Sequence, residues 1–462
     1  MMKKPNIILI NCDDLGYGDL ACYGSTVNKT PYLDKMAAEG TRFTDYHVMS
    51  SVCSASRAAL MTGCYPQRVG ITGVLFPGDP IGLGRDELTV ADVLKGQGYR
   101  TKIVGKWHCG DQPEFLPTKH GFDEYYGLPY SNDMGIQGNA PGISKRVPLP
   151  LMRNSDVIQQ QPDQRGLTER YTEECVRFIR DNKEGPFFLY LAHMYVHVPL
   201  FVPQRFMSQS GNGGYGGAVE CIDWVAGVLF DELKRQGLDE DTLVVFTSDN
   251  GSRARGEGGS NAPLRGSKFT TWEGGQRVAC IVRWTGKVPA GRVCDDLVAS
   301  IDFMPTFARL AGTVAPPDRA IDGKDISPLL FGEAGAESAH ETFWYYLQDR
   351  LEAVRKGKWK LHFAKGRVFG NPAETINALY DLETDIGEEH NLFDAHPDIV
   401  EALSAEAEVA RQTFGDSITG VDGNARRAVG RVENPVPLAM YNENHPYIVA
   451  AYDNADTDVM CG

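Results

Sequence analysis

Asn6-Ile7-Ile8-Leu9-Ile10-Asn11, running straight into Cys12-Asp13-Asp14, is the stretch whose reading decides the fold. An unbroken apolar run of this length, without polar alternation, reads as a strand buried on both faces. The acidic pair follows it at once, which puts carboxylates at the strand's end. The same pairing recurs three times. Residues 101–105 are followed by Lys106-Trp107-His108, residues 187–192 by His193 and His197, and residues 242–248 by Asp249-Asn250-Gly251. Helical spacing fills the intervals at residues 31–40, 88–98, 168–183 and 220–237. Strands alternating with helices imply an α/β fold: a large, mainly parallel sheet sandwiched by helices. In such sheets ligands bind outside the carboxyl ends of the strands, where all four polar groups fall.

Beyond residue 331 the pattern changes. Residues 351–363 alternate as strands do, with Trp359, Leu361 and Phe363 on one face, and Leu379-Tyr380-Asp381-Leu382 reads as another short strand. Residues 399–413 read as a helix. A smaller antiparallel sheet packed on the first unit is expected, dividing the chain into a large α/β domain, 1–335, and a C-terminal α+β subdomain with its tail, 336–462. Residues 141–164 and the tail from 415 carry few signals. The glycine-rich stretch 251–275, with Arg255, Arg265 and Lys268 among its glycines, reads as a long loop of the kind that carries function.

A second informative stretch is Cys53-Ser54-Ala55-Ser56-Arg57, leading into Ala58-Ala59-Leu60-Met61-Thr62-Gly63. Alanine and leucine favour a helix and Gly63 ends it, so Cys53 is expected just before a helix N-terminus, where free N–H groups favour anions. Arg57 lies one turn further along the same face. Taken alone, the pentapeptide reads more readily as an inert core cysteine.

The chain has 462 residues, 42% hydrophobic and 23% charged, within the ordinary range for a globular protein. A net charge of -15 argues against a nucleic-acid partner, although basic residues in a cleft can still receive an anion. No apolar run is long enough to cross a membrane, so no membrane partner is expected. The N-terminal apolar run is too short for a signal peptide. The expectation is a cytoplasmic protein, or alternatively a periplasmic or secreted one whose leader has been removed. The ten cysteines show neither metal-ligand spacing nor a disulfide framework.

Asp13, Asp14, Asp249 and Asn250 are oxygen donors, which suit a hard cation, Ca²⁺ or Mg²⁺, rather than structural zinc. Each also has a simpler reading, as a helix cap or a turn. Lys106 and His108, two residues apart, would share one side of an extended backbone. His197 is as compatible with a structural role as with a catalytic one, and Lys268 with a solvated loop.

With all these residues in this order, the chain resembles the type I sulfatases of the alkaline phosphatase superfamily, from about residue 6 to about residue 391. Cys53-Ser54-Ala55-Ser56-Arg57 matches the signature Cys-x-Pro/Ala-x-Arg, and Leu60-Met61-Thr62-Gly63 its extension. Gly105-Lys106-Trp107-His108 matches a second motif, and residues 126–133 are similar to the arylsulfatase A and N-acetylgalactosamine-6-sulfatase branch. The resemblance implies an alkaline phosphatase-like fold and hydrolysis of sulfate monoesters. The substrate would be a sulfated carbohydrate, with activity on aryl sulfates. It implies that a separate maturation enzyme oxidises Cys53 to formylglycine, whose hydrate attacks sulfur and then collapses to release sulfate. Asp13, Asp14, Asp249 and Asn250, with the residue-53 oxygen, would hold one divalent cation, Ca²⁺ in first place and Mg²⁺ as the alternative. Arg57 would orient residue 53, and Lys106 and Lys268 would bind sulfate oxygens. His108 would be the base for the collapse, with His197 or Lys268 as the acid for the leaving group. Two other readings stand beside this one. One is a phosphodiesterase or phosphonate monoester hydrolase of the same superfamily, which the neutral Asn250 disfavours. The other is an unmatured protein that binds sulfated ligands. Oligomeric state is left open.

Overall fold

The computed structural model describes residues 3–136, 146–366 and 373–449. Its centre is a ten-stranded mixed sheet whose middle strands are Thr242–Ser248, Asn6–Cys12, Phe187–Ala192, Arg100–Gly105 and Glu124–Gly127, all parallel. The register pairs Cys12 with Ser248 and Asn11 with Ala192, so these strands finish together at one edge. Successive side chains of a strand point to opposite faces. Ile8 and Ile10 accordingly join one core, with the helices Pro31–Ala38, Leu167–Asp181 and Gly213–Arg235. Ile7 and Leu9 join the other, with Cys53–Thr62, Val90–Gly96 and Phe303–Leu310. Both faces are covered, which is why the strands read as continuous apolar runs.

The sheet is extended at both margins by antiparallel pairings. On one side, Cys280–Arg283 joins Thr242–Ser248 and Thr41–Phe43; on the other, Pro150–Arg153 and Asp156–Gln160 form a hairpin. The sequence reading made residues 141–164 irregular. Residues 141–145 lie outside the described residues, and the remainder holds this hairpin, turned at Asn154 with φ 55°. Proline and glutamine hide it from propensity, and pairing with Glu124–Gly127 supplies what propensity lacks. The helix expected over 220–237 begins earlier, at Gly213, because Tyr215 and Ala218 bury against the core and outweigh the four glycines of its first turns.

The second sheet has four sequential antiparallel strands: Thr342–Leu347, Arg350–Lys356, Trp359–Lys365 and Glu374–Asp381. The helix Pro397–Phe414 packs on the face bearing Trp359, Leu361 and Phe363. The opposite face of the same strand carries Lys360 and His362, both fully buried. The chain then returns to the large sheet's side, where Gly430–Arg431 pairs with Ile81–Gly82 and Arg427 pairs with Glu87 at 2.6 Å; residues 450–462 of the tail lie outside the described residues. Among the described residues the cysteines are all free thiols, and no helix is long and apolar enough to cross a membrane.

If the central strand is the keystone of both cores, Ile10→Ala should lower unfolding free energy by about 2–5 kcal/mol in a urea titration. An unchanged midpoint would contradict that placement.

Candidate functional site

The carboxyl ends of the central strands deliver their polar residues to one buried point. Asp13 and Asp14 leave Asn6–Cys12, and Asp249 and Asn250 leave Thr242–Ser248. The two strand ends are tied together: Asp249 N donates to Cys12 O at 3.0 Å, and Asp14 N to Asp249 Oδ1 at 3.2 Å. Asp14 has φ 62°, a turn out of strand geometry that an aspartate tolerates better than most residues. Asn250 Nδ2 donates to Asp14 Oδ1 at 2.7 Å. Lys106, at the end of Arg100–Gly105, donates from Nζ to Asp13 Oδ2 at 2.6 Å. Lys268, from the glycine-rich loop, donates from Nζ to Asp14 Oδ2 at 2.9 Å.

Cys53 is the first residue of the helix Cys53–Thr62, with Val52 as its cap, rather than the residue before it. Helix geometry carries the Arg57 side chain to the acidic cluster one turn on, where its Nε donates to Asp249 Oδ2 at 2.8 Å and its Nη1 to Lys106 O at 3.0 Å. All ten residues of this helix are buried. Burial raises the Cys53 thiol above its ordinary range, the nearby Lys106 and Lys268 ammonium groups pull it down, and Asp13 and Asp249 raise it again. Burial wins, so this thiol stays protonated and is a poor nucleophile. Those same charges place Cys53 within the cluster.

The electrostatics sort the ionisable groups. Burial alone would raise Asp13, but Lys106, with His197, Arg57 and Lys268, overrides it and holds the carboxyl far below the usual range. Burial likewise opposes Asp14, and Lys268 prevails. Burial would lower Lys268, yet Asp14 holds it well above the lysine range. Burial and then Asp13 push Asp249 up to about 7, since the two carboxylates compete for the same cations.

Both histidines are neutral at pH 7. His197 is lowered by burial and then by Lys268, and His108 is lowered well below its usual value by burial and then by Lys106. His197 Nδ1 lies 2.6 Å from Val198 O and 3.1 Å from Asn132 Oδ1, so its proton sits on Nδ1. That leaves Nε2 facing Asp14 Oδ2 at 3.8 Å. His108 Nε2 lies 3.0 Å from Leu75 O, leaving Nδ1 buried without a partner. The extended backbone expected to align Lys106 with His108 is absent, because His108 has φ 60°; the two reach different neighbours. His193 stays out of the site. Its Nδ1 accepts from Tyr195 N at 3.0 Å and its ring packs against Tyr171 and Tyr195.

The donor set fits a hard cation. Asp13 Oδ1 and Asn250 Oδ1 are both buried with no hydrogen-bond partner, and oxygen atoms so placed need a positive neighbour. Asp13, Asp14 and His197 each offer a ligand atom within 4.8 Å of the others. Sequence reasoning assigned no role to two residues found here. Ser131 Oγ lies 3.3 Å from Lys106 Nζ and 3.4 Å from His197 Nε2, and Asn132 holds the His197 ring. The available signal was their position just beyond the carboxyl end of a fifth parallel strand, Glu124–Gly127.

Known proteins resemble this one along most of its length. The family model described as Sulfatase matches residues 5–313, and that of N-sulphoglucosamine sulphohydrolase, C-terminal, matches residues 267–412. Arylsulfatase A of Bos taurus is 41% identical over 464 residues, covering 90% of each chain. N-acetylgalactosamine-6-sulfatase of Canis lupus familiaris is 38% identical over 383 residues, covering 78% of this chain and 72% of its own. The crystal structure of Ps i-CgsB in complex with k-i-k-neocarrahexaose superposes with a TM-score of 0.77 at 32% identity, covering 88% of this chain and 93% of that one. With the large sheet matched almost end to end and nine-tenths of the chain aligned to a curated relative, the protein belongs to the sulfatase family and is a sulfuric ester hydrolase.

Proposed function

We propose that this enzyme removes sulfate from a sulfated carbohydrate, accepting aryl sulfates as well, with formylglycine made from Cys53 and one divalent cation. The observation that carries the reading is the gathering of Cys53, two buried ammonium groups and two unpartnered oxygens at the strand ends. The carbohydrate class is supported by relatives named for a sulfated sugar and by the neocarrahexaose complex of a structural neighbour.

Asp13, Asp14, Asp249, Asn250 and the residue-53 oxygen would hold the cation. Ca²⁺ fits best, since it accepts many oxygen ligands in irregular geometry, whereas Mg²⁺ keeps several waters. When bound, the cation supplies positive charge to the sulfate oxygens and acidifies the nucleophile. Formylglycine, when hydrated, supplies one hydroxyl to attack sulfur and a second to release it. A maturation enzyme is the required partner, and it acts before the helix Cys53–Thr62 is packed, because that helix is wholly buried.

The chain's own groups do the rest. Lys106 and Lys268, kept protonated by Asp13 and Asp14, bind sulfate oxygens and stabilise charge as the S–O bond breaks. Arg57, fixed by Asp249 and the Lys106 carbonyl, has its Nη2 left to orient residue 53. His108, whose Nδ1 has no partner, would accept there the proton of the second hydroxyl. Nε2 of His197 is unprotonated in the neutral resting ring, so it would first take up a proton from water as the anionic ester binds and then pass that proton to the leaving oxygen. Asp14 holds the Lys268 proton too tightly for easy transfer, whereas His197 is the weaker base of the two and exchanges its proton more readily.

Cys53→Ala should abolish turnover while leaving the thermal unfolding midpoint within the spread of replicate wild-type preparations. Turnover surviving in that variant would remove residue 53 from the chemistry. His197→Ala should slow esters with poor leaving groups by on the order of 10²–10⁴-fold and activated phenyl sulfates much less. Equal losses across a leaving-group series would take the acid role away from His197.

A further inference from the structure

Lys268 rides on a segment with little regular structure, closed by the short helix Glu273–Gln276. The next residue, Phe269, has φ 69°, a left-handed conformation that is an outlier for so bulky a side chain. Backbone held there persists only when its surroundings over-determine it. Around Lys268 the catalytic domain holds the backbone through Lys268 N on Ser252 O at 3.0 Å and Phe269 N on Ser51 O at 3.1 Å, and it holds the segment's ends through Asn261 Nδ2 on Gly266 O at 3.1 Å, Gly251 N on Gly275 O at 3.1 Å and Val48 N on Gln276 O at 2.8 Å. The stretch between these ends, residues 269–273, is held by the C-terminal subdomain. Phe269 packs with Val52, Ala55 and Leu347, the last from the strand Thr342–Leu347. Lys360 Nζ donates to Thr271 O at 2.9 Å and to Glu273 Oε1 at 2.8 Å, and forms an ion pair with Glu388 Oε1 at 2.9 Å. Glu388 accepts from Glu273 N at 2.8 Å through Oε2, and from Arg265 Nη1 at 2.6 Å through its carbonyl. Thr271 Oγ1 donates to Glu352 at 2.7 Å.

This buried cluster borders a second group of potential cation ligands, Asp45, His47 and Glu273. There, however, the chain supplies the positive charge itself. Arg355 grips both oxygens of Asp45 at 2.9 and 2.6 Å, and Lys360 and Arg277 hold Glu273. The group is a brace between the two sheets, and the segment it braces carries Lys268.

We propose that Lys360 and Glu388 are positioning residues for the sulfatase reaction: from the C-terminal subdomain they fix the 265–276 segment so that the Lys268 ammonium reaches Asp14 and the sulfate. The proposal rests on the sulfate-binding role given to Lys268 above. Without the Lys360 ammonium, Glu273 and Glu388 are left as buried carboxylates lacking a cation between them, and the Thr271 carbonyl loses its donor. The segment then relaxes, Phe269 moves toward ordinary backbone, and Lys268 is misplaced while the other strand-end residues stay.

The test is a double-mutant cycle on matured, cation-loaded full chain with an aryl sulfate, comparing Lys360→Met, Glu388→Gln, Lys268→Ala and each pair with Lys268→Ala. Lys360→Met should lower kcat by on the order of 10- to 100-fold, with a much smaller change in KM. In the Lys268→Ala background the same substitution should change kcat by less than about twofold, because the group it positions is already gone. An undiminished effect in that background, or unchanged kcat in the single variant, overturns the positioning role. Full activity in Lys268→Ala alone would instead refute the role of Lys268 itself. Should Lys360→Met not fold, Glu388→Gln keeps the shape and removes the negative charge that Lys360 faces: reduced kcat that vanishes in the Lys268→Ala background supports the proposal, and wild-type kcat contradicts it.

Discussion

Burying three carboxylates beside three cations, with almost no access to water, is the constraint around which the molecule is built. Asp13, Asp14 and Asp249 face Arg57, Lys106 and Lys268, each of them no more than 2% exposed. Stranding one charge of such a set costs about 3–5 kcal/mol, so the set survives only if every member is held in place. The parallel sheet does the holding, since its register ends the strands of Asp13 and Asp249 side by side. With Asp249 ionised, as a bound cation would require, three acids against three bases leave no formal charge, and a divalent ion would tilt the balance to +2. A site so tilted suits a sulfate monoester, which carries one negative charge, and the unpartnered oxygens of Asp13 and Asn250 are where that ion is wanted.

Much of this was legible in the sequence because it depends on local rules. Strands buried on both faces announce themselves as apolar runs, and the polar residues after residues 12, 105, 192 and 248 had to fall at the ligand-binding edge. The helix carrying Cys53 and Arg57 could be read from its alanines and its closing glycine. What escaped depends on tertiary contact. His193 and His197 follow the same strand, and only packing shows that the first belongs to the core and the second to the site. Left-handed backbone at His108 cancelled the two-residue periodicity that would have aligned it with Lys106. Ser131 and Asn132 carry no pattern of their own, and their importance comes from what folds against them.

The C-terminal sheet shows the same limit from another side. In Trp359–Lys365 the apolar positions were read correctly, and alternation would then send Lys360 and His362 to solvent. They are instead fully buried, because the glycine-rich segment covers that face and brings Glu273 with it. Charged residues on a strand's polar face thus mark an interface between sheets as readily as a solvated surface. The consequence is mechanical: a lysine of the catalytic centre is held partly by residues about a hundred positions further along the chain.

The most direct test of the account is the position of the metal in crystals of matured protein, located by its anomalous scattering. One ion should appear within about 2.3–2.6 Å of Asp13 Oδ1 and Asn250 Oδ1, with Asp14, Asp249 and the oxygen of residue 53 completing its shell. An active crystal with no ion there, or with its only ion between Asp45 and Glu273, would contradict the account.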